Sequence, residues 1–539
     1  MLALITDSLD SHTLKALNPF LPPEPEEVIK PEPPNEGTIW WVLSDERKAQ
    51  RQKQYEAELL RWLDYEKAVS ARLASAEFRA APKKLEAAVS DLEQRGLLQW
   101  DERERKYNLH PVVRSIAAGW MQAEDAERYG MRVVDHFSAV SHSPYEQAKT
   151  LEDLRPGLTV VRMLLKLGRF QQAYNAYKGD LDTALKTNLR AETEVLSLLR
   201  PFYPNGWTAL PIGVKQIDIT DLANSAAGAL FAIDELEASQ SLVEAAMLTD
   251  LRNENWVGVI TRLLNLGLTY GEQDRLAKED YCMSCSLEVA LLTDSKVDHF
   301  RSRLAHFRVL AEIGQSERAE ALWRELDSMG RDWSRHEYVP GDAEWKYAEF
   351  LFWNGKLSES HLEKTERLAI AGKYHLAIKN VQHLRGIWQL AQGNWSQAAV
   401  SLAESLRMAR ESGIADAFAE TGLALAKHHL GQLADPRDEA ARLAQFRNPA
   451  HRYLAQLWLA LGDQEKARHH ALASYRSAWG DGEPYVRRYE LARTTELLQQ
   501  MQVPIPNLPP YNPDKDAPIP WAAEVRAAIN KLRDEKQAN

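Results

Sequence analysis

The chain has 539 residues, 45% hydrophobic and 27% charged, which are the proportions of a folded protein long enough for several domains or an open-ended repeat array. Its 66 Lys and Arg against 77 Asp and Glu give a formal charge of -11, which opposes any general attraction to nucleic-acid phosphates or anionic lipid. The N-terminal text MLALITDSLDSH has no basic leader and meets Asp7 early, no later stretch reaches the roughly 20 apolar residues of a membrane span, and there are two cysteines; a soluble, cytoplasmic protein is expected.

The first 120 residues open with a crowd of prolines, Pro22, Pro23, Pro25, Pro31, Pro33 and Pro34, whose rings fix φ and remove donors, so that stretch should be extended. Heavily charged helical text follows from Asp45 to Ser75. Pro82 is read as the first residue of the next helix, with Leu85, Val89 and Leu92 on one apolar face and Gly96 ending it. The text LLQWDERERKYNLHPVVRSIA then gives strand, polar turn, strand and a new helix, the pattern of a winged-helix module.

From about residue 123 to 500, helix-length amphipathic runs alternate with short Gly-containing breaks at Gly168, Gly271, Gly314, Gly355, Gly393 and Gly462, with a weaker copy at Gly431. From Gly271 onward the breaks recur every 30 to 43 residues or so, the period of one helix-turn-helix unit. Gly supplies the φ > 0 that ends the first helix. A small residue five positions later (Ala173, Ala319, Ala398, Ala467) lets the second helix pack closely. Pro201, Pro204 and Pro211 interrupt the pattern between Leu181 and Leu222.

Gly386, Gly393, Trp395, Ala398 and Leu402 in one unit, and Ala455, Gly462, Asp463 and Ala467 in another, resemble the tetratricopeptide repeat family in a divergent, long-helix form; Ala471 departs from it at the bulky site. The wording RGLLQW...YNLHPVVRSIA, with the tail LLQQMQVPIPNLPPYNPDKDAPIP, resembles the winged-helix and repeat portion of bacterial STAND (signal-transducing) NTPases. No GxxxxGK[ST] phosphate loop occurs, so the NTPase domain of that class is missing from this sequence. The expected fold is therefore all-α, a right-handed helix-turn-helix repeat solenoid (TPR-like) preceded by a small winged-helix module. Its expected divisions are 1–120 for the winged-helix-like part with its Pro-rich and charged insertion, 121–500 for the solenoid, and 501–539 for a Pro-rich tail and capping helix.

Few residues carry chemistry. Cys282 and Cys285 form a lone C-x-x-C in helical text, without the strand-to-helix setting of a redox motif or a second pair for zinc, and read as small residues of a repeat helix. The doublets His428-His429 and His469-His470 lack the i, i+4 spacing that aligns two ligands, and no HExxH or GxSxG occurs. Trp323 and Trp395 fall at repeat positions where burial accounts for them. The STAND resemblance implies that His110, in the text Leu109, His110 and Arg114, contacts the diphosphate of a nucleotide. Without a phosphate loop that nucleotide would be held by another polypeptide, and otherwise His110 caps or packs a helix start.

The expected function is a non-catalytic sensor or scaffold that binds a protein or peptide on the solenoid surface, with a separate NTPase or effector protein as a further partner. No catalytic residue, cofactor or metal is assigned, and neither nucleic acid nor membrane is an expected partner. The competing readings are a DNA-binding winged-helix regulator, which the balanced charge of Lys83, Lys84 and Arg95 against Glu86, Asp91 and Glu93 opposes, and an enzyme with an unrecognised site between Tyr203 and Asp221.

Overall fold

A computed structural model of the chain describes residues 4–5, 8–34, 44–329, 341–372, 375–411 and 416–538. It is an all-α repeat solenoid with one small sheet, and the chain forms two compact units, Met1–Tyr145 with Glu152–Leu181, and Glu146–Leu151 with Asp182–Asn539.

The first unit begins with β1 (Leu9–Asp10) and α1 (Ser11–Ala16), where the Asp10 carboxylate caps the helix by accepting from Thr13 N at 2.7 Å. The proline-rich segment is extended, and Arg72 near the end of α2 (Asp45–Ala74) ties it down by donating to the Pro22 carbonyl at 3.0 Å and pairing with Glu24 at 2.8 Å. The next helix, α3 (Ala76–Gln94), starts six residues before Pro82 rather than at it. Ser75 Oγ accepts from Phe78 N at 3.1 Å and so supplies the start signal that Pro82 was expected to give, leaving the proline in the second turn. Gly96 ends the helix as expected, at φ 67°, with Leu97 N donating to the Leu92 carbonyl at 2.9 Å.

Beyond it, β2 (Leu98–Asp101) and β3 (Lys106–Leu109) form a hairpin whose turn is held by Asp101 Oδ1, which accepts from Arg103 N and Glu104 N at 2.8 and 3.1 Å. Strand β1 adds antiparallel to β3, giving the order β1-β3-β2, and Leu98 and Leu109 bury their side chains against Val89, Leu92 and Val113. Two residues of strand are too few for any period-2 signal, which is why β1 is invisible in the sequence. The unit continues through α4 (Pro111–Trp120), α5 (Ala123–Ala139), α6 (Arg155–Lys166) and α7 (Phe170–Tyr177), and α8 (Asp180–Thr183) leads the chain into the second unit.

The second unit starts with α9 (Glu192–Leu199) and an irregular loop over 203–215, in which Tyr203 is buried with its hydroxyl donating to the Leu222 carbonyl at 3.1 Å. Paired helices follow. They are α10 (Gln216–Ala232) with α11 (Leu236–Arg252), α12 (Trp256–Glu272) with α13 (Leu276–Leu292), and α14 (Lys296–Glu312) with α15 (Ser316–Ser328). Then come α16 (Asp342–Trp353) with α17 (Glu359–Ala371), α18 (His375–Ala391) with α19 (Trp395–Glu411), α20 (Ala417–His429) with α21 (Pro436–Leu443), and α22 (His451–Ala460) with α23 (Gln464–Trp479). The array closes with α24 (Arg488–Gln500) and α25 (Ala522–Ala538), and successive helices pack side by side as the repeat requires.

The breaks are Schellman turns. At Gly393, φ is 75° and Asn394 N donates to the Gln389 carbonyl at 2.9 Å; at Gly314, φ is 79° and Gln315 N reaches the Leu310 carbonyl at 2.8 Å. Two earlier units use aspartate instead, with Asp234 at φ 66° and Asp274 at φ 59°. Gly271 is therefore not a break. It lies inside α12, three residues before the turn, where a Cβ would come within 2.5 Å of the Glu279 carboxylate. The same close packing explains Gly386, where a Cβ would meet Leu402 at 2.5 Å, and its counterpart Gly267 against Met283 at 2.5 Å. The four expected small residues, Ala173, Ala319, Ala398 and Ala467, are fully buried.

Candidate functional site

Counting back from each break shows which residues face the interior of the second unit. The residue six before the break and the residue two before it line its cavities: Leu268 and Glu272 before Asp274, Arg308 and Glu312 before Gly314, Glu349 and Trp353 before Gly355, Ile387 and Ala391 before Gly393, Leu425 and His429 before Gly431. Four residues are about one helical turn, so both positions fall on the same face of each first helix. That face is charged in the earlier repeats and apolar in the later ones.

The charged part is a cavity of about 530 Å³ lined from α12, α13, α14, α20, α22, α23 and α24, with about 240 Å³ adjoining it around Glu349, Phe352, Trp353 and Tyr489. Arg308 pairs with Glu279 and, at 3.4 Å, with Glu312. Arg487 pairs with Asp274 and, at 2.8 Å, with Glu312, and it donates to the Gly271 carbonyl at 2.7 Å. Arg452 grips Glu490 through two bonds of 2.6 and 3.0 Å and lies 4.3 Å over the Tyr453 ring. Arg447 turns to Asp234 at 2.5 Å. Every guanidinium in the wall is thus neutralised, whereas Glu272 and Glu349 have no ion pair among the described residues.

Burial, and then the neighbouring Glu312 carboxylate, push the Glu349 carboxyl up to about 7, against the partial relief of Arg308 and Lys346. Glu279 is shifted upward by burial as well, while Arg308 opposes the shift. Because the folded protein holds the Glu349 proton more tightly than the unfolded chain does, folding loses stability as pH rises from the ordinary glutamate value of about 4.5 to about 7, and no further above it. Glu349→Gln removes that loss. The melting temperature of the variant minus that of the wild type is expected to grow across this window, and parallel pH curves would contradict the assignment.

The apolar part, about 450 Å³, lies between Ile387, Leu390, Leu425, Leu459 and Leu497, with Trp395 stacked on His429 at 4.0 Å and 14°. Trp323 is buried and stacks on Tyr347 at 4.1 Å.

The residues singled out from the sequence are scattered. His110 is the N-cap of α4, exposed, with Nδ1 accepting from Val112 N at 3.3 Å. His470 is buried with Nδ1 2.9 Å from Nδ1 of His451, and burial together with His451 and His469 pushes it down to about 4, so at neutral pH it is an uncharged packing residue. His429 joins the apolar cavity; His428 does not line it. Among the described residues no group of His, Cys, Asp or Glu is placed to hold a metal ion.

Cys282 and Cys285 are free and buried on α13, with both thiols shifted upward by burial. The thiolate is the reactive form, so neither cysteine should react with a disulfide reagent in the native chain, and both should react on unfolding. Rapid native labelling would contradict the burial.

What sequence reasoning missed is the charged interior itself. Its signal was present: once a break is located, the residues six and two before it name the wall.

No protein-family model matches the chain, and no curated protein matches it. Among solved structures it is similar to a Signal Transduction ATPase with Numerous Domains (STAND) protein with a tetratricopeptide repeat sensor from Pyrococcus horikoshii, at 12% identity and a TM-score of 0.38, over 76% of this chain. The chain spans 60% of the length of that neighbour. Among the described residues no helix is long and apolar enough to cross a membrane.

Proposed function

We propose that this chain is a non-catalytic sensor or scaffold of a STAND-type signalling or defence system, and that it binds a protein or peptide partner on the inner face of its repeat array. The observation that carries the reading is the unfilled, side-chain-lined interior. A stack built only for stability would close that space with apolar residues, whereas here two positions in each of several repeats face open volume. Each repeat adds its own pair of side chains, so specificity comes from the order of repeats and needs no reacting group.

In this reading the helix-strand-strand-helix arrangement of the first unit is a winged helix used for protein docking. Its α4 presents Val112, Ile116 and Trp120, spaced by four residues and all exposed, Trp120 by 80%, on one face. Such a face suits a protein surface better than DNA phosphates. His110 at the start of α4 is available to a nucleotide held by another polypeptide.

The test is affinity capture with the tagged full chain from its native host, in parallel with Leu268→Arg. Leu268 lies on the cavity wall and is partly exposed, so a long charged side chain there obstructs the interior without emptying a core. A partner held by the wild type and lost from the folded variant is the expected result. Equal recovery by both would place binding elsewhere.

A further inference from the structure

The two parts of the interior adjoin, since Arg452, Tyr453 and Ile387 border both the apolar part and the space around Glu349. One end offers carboxylates. Glu349 has no hydrogen bond or ion pair among the described residues, is half-buried, and borders the cavity among Phe352, Trp353 and Tyr489. Glu272, exposed on the wall, also has no ion pair among the described residues. The arginines do not balance them, because each is already engaged by another carboxylate. Arg308 and Lys346 offset the Glu349 charge only in part, so this end carries an excess of carboxylate and is complementary to a cation. Phe352, Trp353 and Tyr489 add aromatic surface to the same end, against which the stem of a long basic side chain can pack. The other end is lined mainly by aliphatic and aromatic side chains, with Gln456 and Gln500 on its wall and Arg452 at the boundary with the charged end.

We infer that the interior recognises an extended peptide segment in which a lysine or arginine, seated against Glu349, stands within a few residues of an apolar side chain seated between Ile387 and Leu425. This rests on the proposed function and adds the chemistry of the partner to it. Charge complementarity decides the basic residue, and the order of lining residues along the array decides its apolar neighbour.

Random dodecapeptides displayed on phage and selected on the full chain test the inference. Enriched sequences are expected to pair Lys or Arg with a nearby apolar residue. Their synthetic forms should bind Glu349→Gln about tenfold more weakly or worse, as loss of one partner of a desolvated charge pair requires. Glu349→Gln keeps shape and removes charge, so it should fold; Ala391→Arg, at an exposed alanine on the apolar wall, should weaken the same peptides independently. Glu404→Gln, at a partly exposed residue of α19 that lines none of these cavities, is the control that leaves binding unchanged. Enrichment of acidic sequences, no enrichment at all, or equal binding by Glu349→Gln and wild type would overturn the inference. If those outcomes came with a partner still captured by the wild type and lost from Leu268→Arg, the proposed function would stand and only the basic-apolar recognition would fall.

Discussion

Trp521→Ala is expected to destabilise the protein by about 3–5 kcal/mol, the cost of emptying a site filled by a buried tryptophan. Trp521 is 1% exposed, its indole Nε1 donates to Glu244 Oε1 on α11 at 3.3 Å, and its ring lies 6.2 Å from that of Tyr281 on α13. It leads α25, whose Val525 and Ile529 are fully buried and whose Arg526 pairs with Glu288 at 2.8 Å. Before it, the proline-rich segment covers the last repeat: Val503 and Leu508 pack on the terminal cluster, and Trp479 Nε1 donates to the Pro509 carbonyl at 2.9 Å. Gly482 permits this approach, since a Cβ there would stand 2.6 Å from the Pro509 oxygen. The tail was expected to cap the end repeat as a whole. Its extended part does, but α25 docks on α11 and α13 instead, because the apolar face of Val525 and Ile529 finds its match there. Deleting residues 503–539 should therefore expose two apolar surfaces and cause aggregation. Urea denaturation of Trp521→Ala with an unchanged midpoint would contradict this account.

Arg487→Met should cost about 1–3 kcal/mol, because removing one partner of a half-buried ion network leaves carboxylates and carbonyls without compensation, while solvent screens the exposed Asp274 side. Arg487 precedes α24 and reaches Asp274 after α12, Glu312 at the end of α14, and the carbonyls of Gly271 and Ser477, the last at 3.2 Å. One side chain thus joins helix ends that are some 200 residues apart in sequence. The double variant Arg487→Met with Glu312→Gln should recover part of the loss, since it removes a stranded carboxylate together with its partner. A single-variant loss below about 1 kcal/mol, the range of an exposed pair, would show the network to be solvent-screened.

The repeat was legible where glycine marks it. Gly314, Gly355, Gly393 and Gly462 take the left-handed conformation that the sequence pattern assigns to them. It was hidden where Asp234 and Asp274 do the same work, because aspartate is also a common surface and capping residue and carries no such signal alone. Missing Asp274 shifted the break to Gly271, and with it the register of residues six and two before the turn. Hence Leu268 and Glu272 were not placed on the wall, and Arg308, Glu312 and Glu349, though they stand before breaks that were located, lie on separate helices whose shared interior no single helix reveals. Arg452 and Arg487 were harder still: Arg452 meets Glu490 of the later α24 and Arg487 meets Asp274 and Glu312 of much earlier repeats, pairings that no local periodicity encodes. Pro82 misled for a local reason, since Ser75 had already opened the helix.

Photo-crosslinking from Phe418 decides whether the inner face of the array holds a partner. This ring is half-exposed at the junction of the charged cavity and the space around Glu349, so a benzoylphenylalanine in its place keeps the aromatic character of the wall. Irradiation in the native host should give a discrete, higher-mass adduct containing a partner polypeptide, absent when the same probe replaces the exposed Val400 of α19, which lines none of these cavities. The same adduct from both positions, or none from Phe418, would contradict a partner on the inner face.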